Sequence, residues 1–432
     1  MSGKIKLNFG VDEKPPLGET LLYGMQWLAI GLPMVVVLGQ VVASHNFSNA
    51  TDQVVFMQKL FFVTAVSSLL QLFFGHRLPA VIGPAAILVV GITSSQGVGL
   101  SSIYTSIMIG GALLTLLCLT GLFSKIEKLF TRQIIAVILL LIALTLVPTI
   151  LNLISSVPAA GMEFFHFVFA LVFIVAMFMA NRFLKGMWKS TMIIWAMIAG
   201  SIVYVLLVPE YNWMSGESLS VFSNFFSDLS FSFSLDIGVL ISFIICFVAL
   251  STNDLGSIQA IGELVNAPDM GKRLSAGINV TGLSSVIAGF LGVPGPVNYS
   301  LSTGVIASTG IGSRFTLVPA GFILLFISFM PGVVSFLSGI PPLIIGVVFL
   351  YVMCSQIAAG LLTAFSGDSF SFEDGLIIAL SLMLGLIVSF LPDTTVAALP
   401  HLLRPILGNG FVVGTAAVLL MEHVVYRKRA SA

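Results

Sequence analysis

Two stretches decide how this chain folds: LPAVIGPAAILVVGI (Leu78–Ile92) and VPGPVNYSLSTGVIASTG (Val293–Gly310). The first carries Pro79, Gly83 and Pro84 ahead of a short apolar run. The second carries Pro294, Gly295 and Pro296 ahead of Gly304 and another short run. Proline lacks an N–H and pushes the preceding residue into an extended conformation, so each stretch predicts extended backbone followed by half a helix. The alternative is two kinked helices.

The surroundings are membrane-like. Of 432 residues, 57% are hydrophobic and 8% charged, with mean hydropathy +1.10, against about 25% charged in soluble domains. Apolar runs predict fourteen spans, at 21–42, 55–74, 79–96, 101–123, 133–152, 163–181, 190–209, 236–254, 275–292, 297–310, 316–336, 341–360, 374–391 and 405–424. The chain reads as one all-α polytopic membrane domain over 1–432. The two broken spans are the third of the first seven and the third of the second seven. With an odd number per half, the halves enter the membrane in opposite directions, a 7+7 inverted repeat. Short Gly/Pro-interrupted segments at matching positions of such halves point to a transporter's binding site.

Charge placement gives an orientation. With both termini inside, Lys4, Lys6, Lys14, Arg77, Lys125, Lys128, Arg132, Arg182, Lys185, Lys189, Lys272, Arg273, Arg314, Arg427, Lys428 and Arg429 fall inside, leaving only Lys59 and Arg404 outside. That is the positive-inside pattern, expected here for a multi-pass protein of the plasma (inner) membrane with cytoplasmic termini. The N-terminus lacks a signal-peptide pattern, so the spans themselves are expected to direct insertion.

Several function classes drop out. The 18 basic and 18 acidic residues balance, leaving no basic stripe for nucleic acid. Cys118, Cys246 and Cys354 sit far apart in apolar runs and read as small hydrophobes, without disulfide or metal spacing. No cofactor is expected. A membrane-embedded enzyme is disfavoured: aspartyl proteolysis needs two embedded aspartates, and no His-Glu-x-x-His pattern occurs.

One acid stands out. Asp254 ends the run DIGVLISFIICFVALSTND (Asp236–Asp254). An ionisable side chain within a span costs about 2.5–3.5 kcal/mol on insertion scales and is by default a functional hypothesis. Asp254 has no obvious cationic partner and is the candidate proton or ion site, protons being preferred over sodium. Otherwise it would cap its helix or lie in water. Beside it Asn253 is a candidate solute contact; Ser257 and Ser302 are weaker ones, since span hydroxyls often bond back to the i−4 carbonyl. Tyr299 offers a ring or a hydroxyl. Gln259 and Glu263 continue the polar side, with Glu263 expected at the cytoplasmic end. His166 and His401 lie near span ends and are expected to face water or headgroups.

At this point the residues resemble the nucleobase–ascorbate transporter family, which includes uracil and xanthine permeases. EKPPLGETLLYGMQWLAIGLP (Glu13–Pro33) resembles the family's first span, with Gln26 as the glutamine of its Gln-His pair. LPAVIGP resembles the opening of span 3, RLSAGINVTGLSSVIAGFLG (Arg273–Gly292) span 9, GVIASTGIGSR (Gly304–Arg314) the second half of the family signature, and IPPLIIGVVFLYVM (Ile340–Met353) span 12. The resemblance implies a core domain (about 21–123 and 236–336) and a gate domain (about 133–209 and 341–424) that often dimerises. It also implies solute bound between spans 3, 8 and 10, and cation symport.

The chain departs from the family's pattern where solute would bind. The span-8 glutamate and the residue four further on read as Asn253 and Ser257, with Asp254 one step (about 100°) around the helix. The signature's Gln/Glu-Asn pair reads as Leu301-Ser302, the span-3 aromatic as Ala86, and the histidine after Gln26 as Trp27. The expected site is therefore Asn253, Ser257, Ala86, Leu301, Ser302, Gln26 and Tyr299, with Asp254 for coupling. The leading reading is a proton-coupled symporter of a nucleobase-like purine, pyrimidine or similar planar solute. The alternatives are a carrier of an organic or inorganic anion on the same fold, or an uncoupled facilitator.

Overall fold

The computed structural model describes residues 7–95, 98–123, 129–156, 161–209, 211, 220–228, 232–366, 370–400 and 402–426. His401 lies outside them. The chain runs through α1 (Leu17–Asn46), α2 (Ala50–Phe73), strand β1 (Ile82–Pro84), the half-helix α3 (Ala86–Thr93) and α4 (Leu100–Leu119). Then come α5 (Arg132–Ser155), α6 (Glu163–Phe183), α7 (Met192–Leu207), α8 (Ile237–Leu264) and α9 (Met270–Leu291). Strand β2 (Pro296–Asn298), the half-helix α10 (Ser302–Thr309), the bent pair α11 (Arg314–Ile327 and Pro331–Ser338), α12 (Pro342–Ala364), α13 (Phe372–Ser389) and α14 (Gly410–Val425) follow. Among the described residues nine helices are long and apolar enough to cross a membrane, or ten if the bent pair is one span; α7 and α14 are shorter apolar helices.

The extended segments expected in spans 3 and 10 are present, and they meet. β1 and β2 pair antiparallel with Ile82 opposite Asn298, Gly83 opposite Val297 and Pro84 opposite Pro296. Flanking bonds lengthen the contact: Ala85 N–H donates to the Gly295 carbonyl at 2.9 Å, and Tyr299 N–H to the Val81 carbonyl at 2.9 Å. Each strand supplies the partners that the other's prolines deny a helix, which is how irregular backbone is tolerated in an apolar interior.

Two segments differ in course from the sequence expectation. The segment expected to end at Asp254 continues as one helix to Leu264, so Asp254 lies well inside α8. Polar side chains lower the hydropathy of residues 251–263, but several of them are satisfied within the protein, so the helix does not stop. The eleventh segment, expected as one span over 316–336, is bent by 99° at residues 328–330. Pro331 opens its second half, having no N–H to continue the first. His166, expected to face water or headgroups, is buried at 1% exposure and bonded to the Tyr204 hydroxyl at 2.9 Å. Without that partner a buried imidazole would be costly.

Packing is densest between α4 and α9 and between α5 and α12. The first contact depends on missing side chains. A Cβ at Gly282 would collide with Thr115 Oγ1 and meet the Gly111 carbonyl at 2.8 Å; one at Gly289 would meet the Tyr104 carbonyl at 2.6 Å. Close backbone approach of this kind is the usual way membrane helices pack. Gly282→Val is expected to cost about 1–3 kcal/mol through overpacking and to lower the apparent melting temperature in detergent. Gly256→Val, at a position with nothing within 4 Å, is expected to leave it unchanged; equal losses would contradict the close-packed α4–α9 contact.

Candidate functional site

The crossing of β1 and β2 organises the site. Gly83 is required by close approach: a Cβ there would meet the Tyr299 ring at 2.6 Å. Tyr299 packs across that gap and its hydroxyl donates to the Pro84 carbonyl at 2.8 Å. Ser302, at 0% exposure, accepts from Val81 N–H at 2.9 Å and donates to the Tyr299 carbonyl at 2.8 Å, tying α10 to both strands.

A cavity of about 330 Å³ opens beside the crossing. It is lined by Ala86 at the start of α3, Tyr299, Ser300, Leu301 and Thr303, by Asn253 of α8, and by Val352, Ser355 and Gln356 of α12, among others. A second cavity of about 430 Å³ adjoins it, lined by Phe123, Phe130, Asn253, Ser257, Gln259, Gln356 and Thr363 among others. Asn253, Ser300, Gln356 and Ala359 line both, so they mark the threshold between them. Among the described residues neither cavity is lined by Lys, Arg, His, Asp or Glu. Its polar groups are carboxamides and hydroxyls, which donate and accept without carrying charge.

Of the expected site residues, Asn253, Ala86, Leu301 and Tyr299 come together around the first cavity, and Ser257 (2% exposed) lines the second. Asn253 and Ser257 are four residues apart and share a helix face. Ser302 lines neither cavity. Gln26 also lines neither; it is 8% exposed, and its Nε2 has no hydrogen-bond partner among the described residues. Trp27 donates its Nε1–H to Thr316 Oγ1 at 3.0 Å, fastening α1 to the start of α11. Gln356 was missed because a lone glutamine in an apolar helix gives no periodic signal.

Asp254 faces away from both cavities, as its one-residue offset from Asn253 requires. It is 0% exposed. Its Oδ1 accepts from the Asn298 backbone N–H at 2.8 Å and from Asn298 Nδ2 at 2.6 Å; its Oδ2 accepts from Thr281 Oγ1 at 2.6 Å. Among the described residues no cation pairs with it, but three neutral donors do. A carboxyl that only accepts is arranged as its ionised form, and hydrogen bonds to a charged group contribute about 1.5–3 kcal/mol each. Among the described residues no group of three or more His, Cys, Asp or Glu side chains comes together to hold a metal ion.

Comparison with known proteins places the chain in a family. The xanthine/uracil permease model, described as a permease family, matches residues 18–394. The chain belongs to that family. It is therefore a transporter and not an enzyme. The xanthine permease of Bacillus subtilis is 27% identical over 435 residues, covering 95% of each chain. Xanthine permease XanP of Escherichia coli is 25% identical over 440 residues, covering 96% of this chain and 94% of its own. Among solved structures, the transmembrane domain of the cyanobacterial bicarbonate transporter BicA superposes with TM-score 0.62 at 17% identity, covering 86% of this chain and 96% of its own. That likeness is one of fold.

The site geometry predicts separable defects. Ser302→Ala removes an acceptor from the buried Val81 N–H, at about 1–3 kcal/mol for an unsatisfied group. It is expected to lower the melting temperature of the purified permease, whereas Leu301→Ala, which alters only the cavity wall, is expected to lower it less. The reverse order would contradict the structural placement of Ser302.

Proposed function

We propose that this permease is a proton-coupled symporter of a neutral, planar, nucleobase-like solute such as a purine or pyrimidine. The observation that carries the reading is the cavity beside the strand crossing, whose described lining carries no charged side chain and includes both Asn253 of α8 and Gln356 of α12. Such a pair matches the alternating donors and acceptors on the edge of a base. Ser300, Thr303 and Tyr299 add hydroxyls, Ala86 and Leu301 an apolar wall. Ser257 lines the path onward, and Gln26 holds a spare donor on α1. A site built of hydrogen-bonding groups rejects ligands that leave them unpaired, by factors of about 10⁴–10⁵ in favourable cases.

In this reading the half-helices α3 and α10 and the shorter helices α7 and α14 also cross the bilayer, giving fourteen segments in a 7+7 inverted repeat. The core (about 21–123 and 236–336) carries Asn253 and the strands. The gate (about 133–209 and 341–424) carries Gln356 and offers a surface for a homodimer. Transport separates core from gate across the threshold residues. The protein sits in the inner membrane with cytoplasmic termini, a view supported by the asymmetric basic residues.

Asp254 is the coupling residue. All its lone pairs in use go to N–H and O–H donors, leaving little room for the oxygen ligands sodium needs. A proton, by contrast, requires only that the Thr281 hydroxyl reorient. Asp254→Asn preserves shape and keeps one acceptor toward Asn298. It is expected to abolish gradient-driven xanthine accumulation in proteoliposomes while leaving exchange within about threefold of wild type. Accumulation that survives the substitution would remove Asp254 from coupling.

A second reading, an anion carrier on the same fold, is favoured by one observation: both half-helix N-termini lie at the cavity, through Ala86 and Leu301. The bicarbonate transporter BicA shares this fold. A thermal-shift screen separates the two, since a ligand at 100 times its Kd stabilises by about 2.7 kcal/mol. Xanthine or uracil is expected to raise the melting temperature and bicarbonate or sulfate to leave it unchanged. Asn253→Ala and Gln356→Ala are each expected to weaken nucleobase binding about tenfold.

A further inference from the structure

Behind β2, away from the cavity, five buried side chains close a ring. His76 Nδ1 accepts from Leu78 N–H at 2.9 Å, which puts the ring proton on Nε2; Nε2 lies 2.8 Å from Asn298 Oδ1. That contact fixes which way the Asn298 amide faces, turning its Nδ2 toward Asp254 at 2.6 Å. Thr281 bonds the other carboxylate oxygen at 2.6 Å. Gln71 closes the ring: its Nε2 donates to Thr281 Oγ1 at 3.0 Å and to the Gly277 carbonyl at 2.8 Å, and its Oε1 accepts from His76 N–H at 3.2 Å. Gln71, His76, Asp254, Thr281 and Asn298 are each at most 2% exposed.

Asn298 is the member with two faces. Its backbone pairs with Ile82 in the strand crossing, and with Val297 and Tyr299 it lines the cavity. Asp254 and His76 line neither cavity. Whatever changes at the carboxylate therefore reaches the solute through β2, because Asp254 holds both the backbone and the side-chain N–H of Asn298.

We infer that Asn298, held in one amide orientation by His76, is the positioning residue that transmits the state of Asp254 to the solute cavity. This rests on the coupling role proposed for Asp254. When the carboxylate takes a proton its pull on both Asn298 N–H groups weakens, and β2 shifts against α3 and Tyr299. His76 keeps the amide from flipping while this happens. The charged and titratable groups around the ring are few. Arg273 donates to the His76 carbonyl at 3.0 Å and the Arg77 carbonyl at 2.8 Å. Asp12 pairs with Arg273 and Arg314. The Cys118 thiol of α4 donates to the Ser275 carbonyl at 3.3 Å.

The test is xanthine affinity of the purified full-length protein at acidic and at alkaline pH. Wild type is expected to bind roughly tenfold more tightly at acidic pH, within the usual range of site-to-site coupling. Asp254→Asn is expected to lose that ratio, and so is Asn298→Ser. His76→Gln, which keeps an amide N–H near the Nε2 position, is expected to retain it, while His76→Ala reduces it severalfold. If Asp254→Asn loses the ratio but Asn298→Ser and His76→Ala keep it, the inference is overturned and the coupling role of Asp254 stands. If Asp254→Asn keeps it, or wild type binds no xanthine or shows no ratio, the underlying reading fails first. Should Asn298→Ser not fold, the His76 pair decides: equal ratios in His76→Gln and His76→Ala overturn the inference.

Discussion

Two extended segments buried in an apolar interior must find partners for their backbone amides, and in this permease they find them in each other and in Asp254. The pairing of Ile82–Pro84 with Pro296–Asn298 satisfies most of the crossing. The Asn298 N–H, at the end of the ladder, is taken by a carboxylate rather than by a carbonyl. Without that acceptor the strand end would carry an orphaned donor where water cannot reach it. The cavity, the orientation of Tyr299 and the starts of both half-helices all follow from this crossing.

The same constraint explains a division of labour along α8. Adjacent residues point about 100° apart on a helix, so Asn253 reaches the cavity while Asp254 reaches the strand from behind. A cavity-lining amide and a buried carboxylate thus sit on neighbouring positions without sharing a compartment. A neutral site keeps its hydrogen bonds for the ligand, and the charge is held where three donors balance its desolvation.

Much of this was legible in the chain, for physical reasons. Pro79, Pro84, Pro294 and Pro296 forbid continuous helix, so the two breaks and their half-helices could be read directly. The offset between Asn253 and Asp254 followed from helix geometry. What was hidden depended on contacts between distant segments. Hydropathy ended span 8 at Asp254 because it registers polarity and not whether polar groups are satisfied, and it ran span 11 straight through residues 328–330. His76 gave no signal in the sequence; only the fold brings it to Asn298, 222 residues along the chain. Ser302 looked like a ligand contact and is a strand clamp. Gln356 became visible only when the fold brought α12 to the same cavity wall as Asn253.

The central claim is that the Asp254 carboxylate changes protonation when solute occupies the cavity in front of β2. Infrared difference spectroscopy of aspartate-labelled protein, recorded as xanthine is added at mildly acidic pH, reads this directly. The account predicts that a protonated-carboxyl band rises as the carboxylate bands fall, and that the change is missing from Asp254→Asn. A carboxylate signal that stays fixed while xanthine binds would contradict it.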